Sequence, residues 1–406
     1  MEPLDEHVRE AVMQRMDLTR NLSDQDILSI IMEEICCLGK EQFISMEQRV
    51  EIQKRVFHSL RKLDVLEELL EDDTITEIMV NGSQCIFVER EGKIYKTDYV
   101  FSSKEKLEDV VQKIVAANNK VVNAAHPIVD TKLSDGSRIN IVLPPIAIEE
   151  CVLSIRKFSK KPITMEKLIA WNTLSEEVAE YIQALVQSKY NIFVSGATSS
   201  GKTTFLNAMA QFIPKCERVI TIEDSAELQL LGVENLVRLE AREATLEGKL
   251  EVTIRDLVRT ALRMRPDRII VGECRGKEAL EVLQSFGTGH DGSFSTGHAN
   301  SAKDMLSRLE TMALMAGEMP LTAIRSQIAS GVDIVIHLGR LRDGSRKLLQ
   351  IMEVEGMKEG EISLRTIYEY REDCENRGAG QWIKKGVLLH QEKLKRAGLR
   401  EKQTEL

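Results

Sequence analysis

Residues 196–204 read GATSSGKTT. The spacing of Gly196, Gly201, Lys202 and Thr203 is that of a loop built to cradle a polyphosphate. Glycines let the backbone wrap the phosphates with its N–H groups inward, and a following helix adds its positive N-terminal end. In such a loop Lys202 neutralises the β- and γ-phosphates and the Thr203 hydroxyl ligates Mg²⁺, while Ala197, Thr198, Ser199, Ser200 and Thr204 complete the binding turn. The alternative, a plain Gly/Ser-rich turn, leaves unexplained the apolar run Ile192-Phe193-Val194 in front of it and the helical pattern behind it.

Binding is not hydrolysis. Turnover needs an oriented water and a held metal, and in this architecture acids at the ends of neighbouring strands supply them. RVITIED ends in Glu223 and Asp224, and DRIIVGE ends in Glu273. The second strand usually ends in a metal-holding Asp followed by Glu, but here Gly272 occupies the Asp position. Glu273 is therefore expected to orient the water, to contact Mg²⁺ through water, or both, and Glu223 is the candidate for the other role. The plainer reading of each is a solvated strand-end acid. Upstream, Arg255, Arg259, Arg263, Arg265 and Arg268 crowd RDLVRTALRMRPDR. Most of them read as a solvated helix face, and one or two as arginines that reach a nucleotide across a subunit boundary.

The stretch TGHDGSFSTGHAN, residues 288–300, holds two of the chain's seven histidines. A zinc site wants three or four ligands, whereas His290 and His298 offer two and Asp291 at best a third. Two structural histidines are the plain alternative. A phosphate-sensing role fits better, in which a histidine donates to the γ-phosphate or registers its loss. His298 is the stronger candidate, because it follows the apparent strand SFST and residues at C-terminal strand ends face the nucleotide. His290 is the second.

The elements that must position these residues follow a βαβ rhythm. From about 176, helix SEEVAEYIQALVQS leads to strand YNIFVSG, and helices and strands then alternate through TTFLNAMAQFI, RVITIED, RDLVRTALRM, DRIIVGE, GKEALEVLQSF and SFSTGH. That pattern predicts an α/β domain over 176–365 with a mostly parallel sheet covered by helices. DIVIHLGRLRDGSRKLLQIMEVEG reads as a hairpin turning at Asp343-Gly344. Residues 1–71 read as a helical segment, with Ser23 as an N-cap and Ile27, Ile30, Ile31, Ile35 and Leu38 on one side. The helical pattern continues over 47–71 with Val50, Val56, Leu60, Leu63 and Leu66. Residues 72–158 read as a small α+β domain, with strands in ITEIMVNG, QCIFVEREGKIY, SRINIVLPP and CVLSIRKF around helix KEKLEDVVQKIVAANN. A linker is expected at 159–175 and a helical tail at 366–406.

Composition narrows the function. Apolar residues make up 43% and charged residues 29% of the 406, as in a soluble globular protein. The balance of 64 acids against 55 bases, net −9, argues against a nucleic-acid coat. No apolar run reaches the roughly 18–20 residues that span a bilayer, and MEPLDEHVRE has no signal-like core. A cytoplasmic protein is expected. The seven cysteines are scattered, without a CxxC pair, and read as reduced, mostly buried thiols.

Taken together, GATSSGKTT, ITIEDSAEL (220–228), EVTIRDLVRTALRMRPDRIIVGECRG (251–276) and TGHDGSFSTGHANS (288–301) resemble the type II/type IV secretion-system ATPases, most closely the CpaF-type ATPases of tight-adherence (Flp) pilus assembly. LSRLETMALMAG, EIMVNG, VDTKLSDGSRIN and LSIRKF extend the resemblance over about 75–360. It implies an N-terminal domain linked to a RecA-like ATPase domain, assembled as a homo-hexamer that hydrolyses ATP with Mg²⁺. It further implies a Walker A loop at 196–204, an acidic box at Glu223, an atypical Walker B ending at Glu273 and a histidine box at 288–301. Arg138 and Arg156 match phosphate-side arginines of the smaller domain. The implied setting is the cytoplasmic face of the inner membrane, docked on a platform protein of a pilus or secretion machine. The alternative is a RecA-type helicase or translocase, which should show a basic, aromatic-studded channel. The acidic balance and 4% aromatics speak against that, and no nucleic-acid partner is expected.

Overall fold

The computed structural model describes residues 3–16, 22–40, 42–158, 162–242, 244, 251–373 and 380–400. The chain divides into two compact units, residues 1–160 and 161–406.

The first unit opens with α1 (Pro3–Arg15), α2 (Asp24–Leu38), α3 (Met46–Arg61) and α4 (Val65–Glu71). Ser23 caps α2 by accepting from the Asp26 N–H while Asp26 accepts from the Ser23 N–H, a reciprocal box that satisfies two otherwise orphaned donors. Ile27, Ile31 and Ile35 recur every four residues and meet Val8, Val12, Ile52 and Val56 in a small aliphatic core. The helix expected to run over 47–71 breaks between α3 and α4, where Asp64 takes a left-handed φ of 56°. Val50, expected in the core, is exposed, and Ile52 packs in its place.

Strands β1 (Ile75–Asn81), β2 (Ile86–Arg90) and β3 (Lys93–Lys96) precede α5 (Lys104–Ala117). Strands β4 (Ile128–Lys132), β5 (Arg138–Val142) and β6 (Val152–Arg156) follow. They form a six-stranded antiparallel sheet in the order β3-β2-β1-β6-β5-β4. Helix α5 lends Leu107, Val110, Val111, Ile114 and Val115 to the core shared with the sheet. The edge strand β4 is not among the strands predicted, because its sequence, IVDTK, lacks apolar alternation. The helical segment and the sheet domain are one unit. Lys106 Nζ of α5 donates to the Ser59 carbonyl at 2.7 Å, and Lys113 Nζ to that of Leu60 at 3.4 Å.

The second unit begins with α6 (Met165–Ala170), α7 (Glu176–Gln187), β7 (Ile192–Gly196), α8 (Lys202–Ala210), β8 (Arg218–Glu223) and β9 (Asn235–Glu240). It continues with α9 (Ile254–Ala261), β10 (Arg268–Val271), α10 (Ala279–Gly287), β11 (Phe294–His298), α11 (Ala302–Leu314) and α12 (Leu321–Gly331). It closes with β12 (Ile334–Arg340), β13 (Arg346–Lys358), β14 (Glu361–Glu372), β15 (Gly380–Lys384) and α13 (Glu392–Arg396). The nine-stranded sheet runs β15-β14-β13-β12-β7-β11-β10-β8-β9, parallel from β12 to β9 and antiparallel beyond β12. One face is covered by α6, α7 and α8, the other by α9 to α12, giving an α/β sandwich with a separate aliphatic core on each side.

Two expected boundaries are corrected. Part of the linker expected at 159–175 folds as α6, because Met165, Leu168 and Leu174 bury into the core of this unit. The tail expected to be helical from 366 instead continues β14 and adds β15. Ile367, Tyr368 and Tyr370 are strand formers with a long partner in β13, and the Tyr370 and Trp382 rings meet at 4.9 Å. Of the described tail only Glu392–Arg396 is helical. The cysteines are corrected as well. Cys36, Cys37 and Cys216 are exposed, the first two because the isoleucine stripe takes the inner face of α2, whereas Cys151 and Cys274 are buried. Cys374 lies outside the described residues.

Arg268 opens β10 wholly buried. Its Nε and Nη2 donate to the Glu217 carboxylate, its Nη1 reaches the Gly292 carbonyl at 3.1 Å, and its guanidinium lies 5.8 Å from the Phe294 ring centre. A Cβ on Gly292 would stand 2.5 Å from that Nη1, so the ion pair dictates glycine there. Arg268→Met would leave Glu217 buried with Lys189, at 3.4 Å, as its ion-pair partner among the described residues. It is expected to destabilise the unit by about 3 kcal/mol, read as a lower urea midpoint at unchanged m-value.

Candidate nucleotide site

Strand β7 lies between β11 and β12, parallel to both. The register sets Gly196 opposite His298 on one side and opposite Leu338 on the other. The phosphate loop therefore starts level with the C-terminal ends of its neighbours, where an open α/β sheet places ligands. A Cβ on Gly196 would come within 2.5 Å of both the Leu338 carbonyl oxygen and Ser200 Oγ, so only glycine lets the chain turn here. Ser199 and Gly201 take left-handed φ values of 60° and 92° and curl the loop into α8. Gly201 is the N-cap and offers no side chain to the first-turn N–H groups, which are left for an anion. Ser200 Oγ is buried in the same loop and has no hydrogen-bond partner among the described residues. Arg346, at the start of β13, lies over the loop with its Cδ 3.5 Å from the place of a Gly201 Cβ.

Lys202 is the first helical residue of α8. Its Nζ donates to the Gly196 and Ala197 carbonyls at 3.0 Å each and stands 3.3 Å from His298 Nδ1. An ammonium can only donate, so Nδ1 is the acceptor and the imidazole proton sits on Nε2. Nε2 in turn is 2.8 Å from Glu273 Oε1. Burial lowers the His298 pKa, helped by the positive charge of Lys202 and opposed by Glu273. The histidine is thus a neutral ring set between Lys202 and Glu273, the acid that follows β10.

Glu273 is held from its other side by Arg275, whose Nε and Nη2 lie 2.9 and 2.8 Å from Oε2. Between them Cys274 turns inward. Its N–H reaches the Thr296 carbonyl at 2.8 Å, its Sγ meets Ser295 Oγ at 3.3 Å, and burial pushes its thiol up to about 12. That inward turn keeps the thiol neutral and away from oxidants.

Glu223 closes β8. Its Oε2 accepts the N–H groups of Glu227 and Leu228 at 2.8 Å each, pinning the loop that follows, while its buried Oε1 accepts no hydrogen bond from the described residues. Burial raises its pKa against those two donors. Gly272 lies beside it, and a Cβ there would stand 3.0 Å from Glu223 Cγ. The space of the missing strand-end aspartate is therefore taken by a glutamate from the next strand.

Other residues sort differently. His290 is corrected: it precedes β11, at the opposite end of the strand from Gly196, where its carbonyl accepts from Ser293 Oγ and its Nδ1 lies 3.3 Å from Thr288 Oγ1. Its neighbour Asp291 pairs with Lys393 of α13 at 2.8 Å, which also holds Asp333 at 2.6 Å. Of the five arginines among which one or two were expected to reach a nucleotide, three are engaged within the chain: Arg255 and Arg259 on Glu281, and Arg268 on Glu217. Arg138 and Arg156 belong to the first unit, directly opposite each other on β5 and β6. With Lys132, opposite Arg138 on β4, they make a basic row ended by Glu77 on β1. His337 escapes sequence reasoning. It is buried on β12 with Nδ1 2.9 Å from Ser195 Oγ, and burial lowers its pKa. Its only signal is one polar residue in the apolar run IVIHLG.

The geometry has close relatives. The description "Type II/IV secretion system protein" matches residues 59–389. The chain belongs to that family. A putative conjugal transfer protein of Mycobacterium tuberculosis is 33% identical over 310 residues, covering 75% of this chain and 87% of that protein. The probable conjugal transfer protein TrbB of Sinorhizobium fredii is 31% identical, covering 75% and 91%. In fold, the chain resembles the crystal structure of the pilus retraction motor PilT with bound ADP, at 20% identity and a TM-score of 0.52, covering 82% of this chain and 86% of that one. As a type II/IV secretion system protein with an intact phosphate loop, the chain is a P-loop ATPase.

The neutral His298 makes a pH prediction. Its folded pKa is depressed, so as pH falls below the unfolded value of about 6.5 the unfolded chain takes up the proton first. The contribution to stability is complete above about pH 6.5 and is lost as pH drops through the folded value. The stability difference between wild type and His298→Asn, from urea titrations at stepped pH, is expected to shrink below that point.

Proposed function

We propose that this chain is one subunit of a hexameric ATP-hydrolysing motor that powers tight-adherence (Flp) pilus assembly or type II/IV protein secretion. The observation that carries the reading is the contact series from Lys202 through His298 to Glu273, which joins a phosphate-binding cation to an acid by way of a neutral imidazole. Residues 196–204 hold the triphosphate, with α8 supplying uncapped N–H groups and Ser200 an unclaimed hydroxyl. Thr203, in the first turn of α8, and the acids Glu273 and Glu223 are the groups that would hold Mg²⁺, directly or through water. When bound, Mg²⁺ neutralises charge on the β- and γ-phosphates.

Glu273 orients the attacking water. His298 follows the γ-phosphate through Lys202 and passes its loss to Glu273. Arg138 and Arg156 are phosphate-side contacts from the first unit, and their basic row suits an anion. No described helix is long and apolar enough to cross a membrane. A motor of this kind would work from the cytoplasmic face, docked on a membrane platform protein. Nucleotide-driven movement of one domain against the other would supply the stroke.

Three variants test the assignment. Lys202→Ala is expected to abolish ATP binding in calorimetry. Glu273→Gln should keep binding and lose turnover by at least about 100-fold. His298→Ala should lower turnover while sparing binding, and if it spares both, the sensing role is wrong.

A further inference from the structure

Glu273 carries the hydrolytic reading above, and a carboxylate on a loop orients a water only as well as it is itself held. Its two oxygens have different partners. Oε1 faces His298 Nε2, and Oε2 receives both Nε and Nη2 of Arg275. Arg275 Nε donates to Oε2 with Nη2 beside the same oxygen, so a charged partner holds that end of the carboxylate while the other end lies against His298.

Arg275 is itself placed by the chain around it. The Glu278 Oε1 accepts the backbone N–H of Arg275 at 2.6 Å and that of Gly276 at 2.8 Å, anchoring the turn between β10 and α10. Cys274 is locked inward by Thr296 and Ser295. With Cys274 pointing in, Glu273 and Arg275 point out together, two residues apart on the same side. The Arg275 side chain is 60% exposed, so on the surface alone the pair would contribute little to stability. Its position beside the reacting acid is what sets it apart from the arginines of α9 tied to Glu281.

We propose that Arg275 is the positioning residue of Glu273. It holds Oε2, which fixes where Oε1 sits beside His298 and hence where the carboxylate meets the attacking water. In the step it supports, water oxygen adds to the γ-phosphorus and the bond from that phosphorus to the β–γ bridging oxygen breaks. Its electron pair leaves with ADP, and the water proton passes by way of Glu273 to phosphate or solvent. Arg275 forms and breaks no covalent bond. Sequence spacing alone does not separate this arginine from its neighbours, because its role appears only with Cys274 turned into the core.

The proposal rests on Glu273 acting in hydrolysis, and a double-mutant cycle on the full chain separates the two ideas. Steady-state and single-turnover ATP hydrolysis, ATP affinity and thermal midpoint are measured for wild type, Arg275→Ala, Arg275→Lys, Glu273→Gln and the Glu273→Gln/Arg275→Ala pair. Arg275→Ala is expected to lower kcat about 10- to 100-fold with ATP affinity within about twofold and an unchanged midpoint. Arg275→Lys should recover part of the loss. In the Glu273→Gln background, removing Arg275 should cost nothing further. Wild-type kcat in Arg275→Ala overturns the proposal. So does a further loss in the double variant, which would mean that the arginine acts on the phosphate independently of Glu273. If Glu273→Gln turns over as wild type does, the hydrolytic reading itself falls.

Discussion

Main-chain pairing among β11, β7 and β12 is the constraint from which the rest of the second unit follows. The three strands are parallel and their C-terminal ends fall level, so Gly196, His298 and Leu338 are neighbours without any side chain having arranged it. That alignment explains why residue 196 has no room for a Cβ. It brings the lysine of one βα turn to the histidine of another strand. It also gives Glu273, one strand further along, a partner on the P-loop side. A shift of one residue in the pairing would turn the alternating side chains to the other face and undo each of these contacts. The buried Arg268–Glu217 pair at the opposite end of β10 ties the start of that strand to the residue before β8.

Much of this was legible in the sequence because it is local. The phosphate loop announces itself through glycine spacing between an apolar strand and a helix, and the strand-end acids through position alone. His298 follows from the same logic, since a residue closing a parallel strand is on the ligand side. His290 shows where the logic stops. It lies eight positions before His298, but β11 runs between it and that residue, and the two ends of a parallel strand lie at opposite ends of the sheet. Spacing along the chain carries no sign for which end is meant.

What could not be read depended on partners distant in sequence. The strand identity of 361–372 is secured by β13, and its interspersed charges resemble an exposed helix until that partner is known. His337 matters only because β12 happens to lie against β7. The arginines of residues 255–268 looked available until Glu281 was seen to engage two of them on α9 and Glu217 the one that opens β10. In each case a side chain with several chemically sensible uses was assigned by packing rather than by type.

The pairing of Gly272 with Glu223 bears on how much charge this end of the sheet carries. A Cβ at 272 would stand 3.0 Å from Glu223 Cγ, so a side chain there would have to share the glutamate's space. An aspartate at 272 would set a second carboxylate against one whose pKa burial already raises, and the cost of ionising both would grow. With glycine there, position 272 adds no charge to that corner.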